Sequence, residues 1–142
     1  YKQLVRPVLE YASGAWDSLT KTQEKNIEAV QRRAARLIFN ISRTDHTTST
    51  TKLLQDLELD ELATRRQHAR LKIFKQYHFS EEETISNYLS KACVASKRKH
   101  PHQYMIPHSS TQHHQRTFFI KTAKEWNQLP ANSEYLNPPD VT

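Results

Sequence analysis

Two sets of side chains in this 142-residue sequence have the types and spacing to do chemistry. The first is arginine at helical intervals: Arg32, Arg33 and Arg36, then Arg66 and Arg70. A guanidinium presents five donors in a fixed fork that matches phosphate oxygens. Lys97, Arg98 and Lys99 add a contiguous basic cluster. The same arginines would serve equally in ion pairs with Glu28, Glu58 or Glu61 on a solvated helix face, and spacing leaves both readings open. The second set is histidine: His100, His102, His108, His113 and His114. Two neutral imidazoles two residues apart can share a metal on an extended segment. Yet no carboxylate lies between residues 93 and 116, and Lys97, Arg98, Lys99 and Arg116 would repel a dication. No metal site and no cofactor are expected of this segment, which reads as a polar loop able to touch phosphates.

Other chemistry is excluded by what the sequence lacks. There is one Gly, too few for a glycine-rich phosphate cradle. There is one Cys, Cys93, so neither an internal disulfide nor a multi-cysteine zinc site can form; a small half-buried thiol is expected. No adjacent Asp-Asp pair could hold two magnesium ions for nucleotidyl transfer. Neither a Gly-x-Ser-x-Gly elbow nor a His-Glu-x-x-His helix occurs. No catalytic residue is expected in this segment. No apolar run approaches a membrane span, and no leader pattern fits. Tyr1 stands inside an apolar pattern, which reads as a piece of something longer. Asn40-Ile41-Ser42 matches a glycosylation sequon at a helix end and is taken as chance.

The basic excess is uneven. Residues 1–49 carry 8 basic and 5 acidic side chains, residues 50–90 carry 6 and 7, and residues 91–142 carry 7 and 3. Positive ends around a neutral middle suit an anionic partner, of which nucleic acid is the commonest. Charged residues make up 25% and apolar residues 36%, polar for a globular chain but not a disordered composition. A chain this long buries about 70% of its unfolded surface, enough for a core.

The elements that must position these side chains read as helices. Tyr1, Leu4, Val5, Val8, Tyr11, Ala12 and Ala15 recur at helical spacing, with a start or kink expected at Pro7. Thr20 and Gln23 have capping-box spacing ahead of a helix over 21–40, with Ile27, Val30, Ala34, Leu37, Ile38 and Ile41 as its apolar stripe. Glu28 and Arg32 have the spacing of a favourable ion pair. Residues 42–51 form a polar loop. Leu53, Leu54 and Leu57 predict a short helix. Asp60 is placed to cap another that runs to Tyr77 on the stripe Leu62, Ala69, Ile73 and Tyr77. Ser80 and Glu83 suggest a capping box ahead of an amphipathic helix carrying Ile85, Tyr88, Leu89 and Ala92. Residues 93–116 break the pattern at Pro101 and Pro107, with strand content possible at Tyr104, Met105 and Ile106. Helical signal returns from Thr117 through Trp126 and stops at Leu129-Pro130; 131–142 read as a tail. Trp126, with Phe118, Phe119 and Leu129, is expected to close the core. The fold class is all-α: about five helices in an irregular bundle, spanning 1–130, with an irregular basic loop at 93–116.

Several of these segments, taken in order, resemble a known family. Leu4-Val5-Arg6-Pro7-Val8-Leu9-Glu10-Tyr11-Ala12 with Trp16-Asp17, then Glu28-Ala29-Val30-Gln31-Arg32-Arg33-Ala34-Ala35-Arg36, resemble the region after the polymerase core of LINE-type (non-LTR) retrotransposon reverse transcriptases, Jockey- or RTE-like. Leu62 with Arg65-Arg66, Arg70 and Leu71 continues the likeness, and Phe118-Phe119, Thr122 and Trp126-Asn127-Gln128-Leu129-Pro130 close it. The resemblance implies a thumb-like helical region helping an RNA-directed DNA polymerase hold template and primer. Its implied partners are an RNA or DNA backbone and the upstream polymerase core, with no membrane and a nuclear location. The parent polyprotein would also carry an endonuclease, and its polymerase would use Mg2+ on an aromatic-x-Asp-Asp motif that this sequence lacks. Thr117 and Ile120-Lys121 depart from the family's usual Ser and Pro-Arg around the paired Phe. A degenerate copy would read the same way, as would a module that docks on the polymerase core.

Overall fold

The computed structural model describes residues 1–42, 44–45, 47–80, 85–92 and 100–138. Seven α-helices occur among them: α1 (Val5–Glu10), α2 (Ser13–Trp16), α3 (Lys21–Ile38), α4 (Thr50–Asp56), α5 (Leu62–Phe79), α6 (Gln112–Gln115) and α7 (Phe118–Trp126). The fold is all-α, as the periodicity predicts. No described helix is long and apolar enough to cross a membrane. The chain divides into two compact units, one of residues 1–13 and 19–66, the other of 14–18 and 67–142.

Local sequence rules explain the first unit's helix ends. Pro7 sits in the first turn of α1, where a missing N–H leaves no intrahelical bond broken, so α1 begins at Val5 and not at the proline. At α3 the capping box forms as expected. Thr20 Oγ1 accepts from Gln23 N–H at 3.3 Å, and Gln23 Oε1 accepts from Thr20 N–H at 2.8 Å. The helix ends on Asn40 with φ 53°. Ile41 N–H reaches Arg36 O at 2.9 Å and Asn40 N–H reaches Leu37 O at 3.1 Å, a Schellman closure. α4 ends identically on Glu58, φ 52°, with Leu59 N–H on Leu54 O at 2.8 Å and Glu58 N–H on Gln55 O at 2.9 Å.

The face that α3 buries differs from the apolar stripe. Gln31 and Ala35 are buried, while Val30, Leu37 and Ile38 are 41%, 73% and 55% exposed. Polar partners override the stripe. Gln31 Nε2 donates to Asp60 O at 2.8 Å, and its Oε1 accepts from the Tyr1 hydroxyl at 2.8 Å. Glu28, whose spacing suggests a pair with Arg32, instead accepts from Ala63 N–H at 2.9 Å. It satisfies a free donor at the start of α5, the work expected of Asp60. Ala35, Leu53, Leu54 and Leu59 form the small core, with Tyr1, Ile41 and Leu57 against it.

The second unit has the larger core: Leu71, Phe74, Ile85, Leu89, Tyr104, Ala123, Trp126 and Leu136. Ring contacts organise it, with Phe74 5.1 Å from Trp126 and 5.4 Å from Tyr104. The core-facing residues of α5 are Leu71 and Phe74; the expected stripe residues Ala69, Ile73 and Tyr77 are only half-buried. Residues 85–88 form a turn and not the expected helix, closed by Tyr88 N–H and Leu89 N–H on Ile85 O. The chain then runs extended and makes an antiparallel bridge from Lys91 to Tyr104. Glu83 of the expected capping box lies outside the described residues, as does Cys93. Beyond Pro130 a 3-10 turn, Glu134–Leu136, buries Leu136, so the segment read as a tail contributes to the core.

Candidate nucleic-acid interface

Arg32, Arg33 and Arg36 share one wall of a cavity of about 470 Å³ whose other lining includes Ala29, Leu37 and Ile41. Helical geometry explains the grouping, since positions 29, 32, 33 and 36 lie within one angular sector of α3. Arg32 and Arg33 are exposed; Arg36 is half-buried. Arg36 Nη1 donates to Asp45 O at 2.8 Å and to Ser42 O at 3.4 Å. Those carbonyls belong to a braced turn. The Asp45 carboxylate accepts from the Thr47 hydroxyl (2.6 Å), Thr47 N–H (2.8 Å) and the Thr48 hydroxyl (2.9 Å). These bonds, Thr47's first, hold its pKa down to about 2. The loop after α3 therefore fixes one guanidinium in place, while Arg33 is exposed and Arg32 Nη2 donates to Lys25 O at 3.4 Å.

Arg66 and Arg70 have the opposite fate, and this corrects their assignment as phosphate contacts. They are 1% and 3% exposed. Arg70 is paired with Asp17, and its Nη2 donates to Glu125 Oε1 at 2.6 Å. Lys121 Nζ closes the cluster on Asp17, 3.1 Å from Oδ2 and 3.2 Å from the backbone oxygen. A buried arginine needs such partners because desolvating its charge is costly, and buried it cannot reach a phosphate. Asp17, Glu125 and Lys121 are functional to the fold, and sequence reasoning missed them. Arg65 in the same helix pairs with Glu10, Nη2 to Oε2 at 3.1 Å. Lys97, Arg98 and Lys99 lie outside the described residues.

The histidine segment is only in part the solvated loop that its composition suggests: His102, His108, His113 and His114 are exposed, whereas His100 and Tyr104 are buried. His100 is wholly buried and donates from Nε2 to Trp126 O at 2.8 Å. Trp126 Nε1–H donates back to His102 O at 2.8 Å. Asn127 grips Tyr104 on both sides, accepting from its N–H at 2.9 Å and donating to its carbonyl at 2.7 Å. His78 Nδ1 and the Tyr104 hydroxyl share a hydrogen bond of 2.6 Å. Burial, then the neighbouring His102, pushes His78 down to about 4, and burial raises Tyr104 to about 12. His113 and His114 stand exposed on α6. Among the described residues no group of three or more His, Cys, Asp or Glu side chains is placed to hold a metal ion.

No family model matches the chain, and neither a curated protein nor a solved structure does.

Proposed function

We propose that this chain is an accessory helical region of a LINE-type reverse transcriptase, and that it holds nucleic acid through its phosphates. The observation that carries the reading is the wall of Arg32, Arg33 and Arg36, on which none of the described lining residues of the cavity is acidic. Arg32 and Arg33 are exposed and can turn donors to an external anion, while Arg36 keeps its bonds to Asp45 O and Ser42 O. Contacts of this kind position a duplex and carry no sequence information. The second site is assigned to Lys97, Arg98 and Lys99. The segment has no catalytic centre of its own, and the polymerase and endonuclease steps belong to the parent polyprotein.

The test is fluorescence anisotropy of a labelled RNA–DNA hybrid with the full chain over a range of salt. Each phosphate neutralised adds up to about 0.9 to the slope of log affinity against log salt. Replacing Arg32, Arg33 and Arg36 by Ala flattens that slope by about 2 to 3 if all three make contacts. An unchanged slope with helicity retained removes them from the interface.

A second reading is favoured by a different observation. Val8 of α1 and the residues that flank the helix, Leu4 and Tyr11, are 74%, 80% and 80% exposed, as Leu37 and Ile38 on α3 are exposed. Apolar stripes left uncovered mark docking surfaces, and the occupant in this reading is the upstream polymerase core. A folded chain that self-associates, and that binds no hybrid at low salt, selects it.

A further inference from the structure

The cavity beside α3 is built for more than a phosphate. A backbone phosphate needs guanidiniums on an open surface and no concavity. Here apolar side chains share the lining with basic ones: Ala29, Leu37 and Ile41 border the same space of about 470 Å³ as Arg32, Arg33 and Arg36. That volume falls among those that enclose small organic ligands. Leu37 is 73% exposed at its rim, an apolar side chain with nothing described to cover it. Thr50 adds a hydroxyl to the lining. Arg36 is held from behind by Asp45 O and Ser42 O, so one charge of the wall is fixed before any ligand arrives.

From this pairing we propose that the pocket binds a single unpaired nucleotide, its base against Leu37 and Ile41 and its phosphate on the arginines. A planar heterocycle gains from both halves of the site. Its faces stack on aliphatic surface and on a guanidinium plane, and its phosphate takes the fork of Arg33 or Arg36. The inference rests on the phosphate-holding reading above and deepens it, because a paired duplex cannot present a base to this cavity. The same chemistry has two sources, a free mononucleotide and an unpaired residue in a single strand.

The test is isothermal titration of the full chain with AMP, adenosine and inorganic phosphate. AMP binds about tenfold more tightly than either half, within the range that stacking of one base gives. Leu37→Ser brings AMP down to the affinity of phosphate, whereas Arg33→Ala weakens AMP and phosphate alike. Both positions are exposed, and circular dichroism confirms that the variants stay helical. Displacement of AMP by a single-stranded hexanucleotide but not by a blunt duplex gives the source as an unpaired strand; displacement by neither gives it as the free nucleotide. AMP binding no tighter than phosphate, or untouched by Leu37→Ser, overturns the pocket. If that happens while the hybrid still binds with a steep salt slope, the phosphate-holding reading stands. If AMP binds and the hybrid does not, that reading falls and the pocket remains.

Discussion

Arg32 and Arg36 on α3 and Arg66 and Arg70 on α5 have the same four-residue spacing on helices of 18 residues each. One pair lines a cavity, Arg32 exposed and Arg36 half-buried, and the other is buried. Charge density and local spacing are alike in the two places, so neither decides the outcome. What differs is the company on the helical wheel. Arg66 and Arg70 continue a row that starts at Leu62 and ends at Phe74, in steps of four, and both of those are wholly buried. The arginines must go in with the row, and Asp17 and Glu125 are there to meet Arg70. On α3 the buried positions are Gln31 and Ala35, and its arginines flank that row instead of belonging to it.

The comparison breaks first at Asp17. Asp17→Ala leaves Arg70 buried with half its counter-charge and costs about 3–5 kcal/mol in a urea titration. A loss under about 1 kcal/mol would show that the pair is not buried in solution. Trp126→Ala, at the centre of the same unit, costs a similar ~3–5 kcal/mol.

Acid gives the next effect. His78 sits on the core side of α5, and its pKa falls from 6.5 to about 4 on folding. The unfolded chain therefore takes up the proton first. The stability contributed by His78 is complete above about pH 6.5 and falls as the pH drops toward 4. His78→Gln flattens that slope, and an unaltered slope assigns the acid sensitivity elsewhere.

A smaller effect separates the two Schellman closures of the first unit. Glu58 holds a left-handed conformation that strains a side chain, whereas Asn40 tolerates it. Glu58→Gly raises stability by about 1 kcal/mol, and Asn40→Gly by less. The smallest effect is the sharpest contrast with Asp17: Arg33→Ala moves folding stability by no more than about 0.5 kcal/mol.

The same contrast marks what was legible in the sequence. The α3 start was fully readable, because Thr20 and Gln23 interact across one turn. So were the existence of α4, α5 and α7 and the burial of Trp126. The polar interior was not. Gln31, Glu28, Arg70 and His100 find partners 26 to 55 residues away, and periodicity carries no trace of such pairs. A signal did exist for α5: the four-residue row from Leu62 to Phe74 outlines the buried face and has two arginines inside it. Continuing the stripe from Leu62, which is buried, through Ala69, Ile73 and Tyr77 placed those arginines on the wrong side. For α3 the apolar pattern itself misled, because its polar residues made the better internal bonds.

Asn127 has a consequence for how slowly parts of this molecule exchange with water. Its amide takes both backbone groups of Tyr104, as a neighbouring β-strand would, while Met105 N–H on Ser90 O and Ala92 N–H on Gln103 O supply the opposite edge. Tyr104 is thus the middle strand of a three-stranded ladder one residue long, with a side chain standing in for one strand. In deuterium oxide its amide should persist with those of α5 and α7, and Asn127→Ala should release it without unwinding either helix.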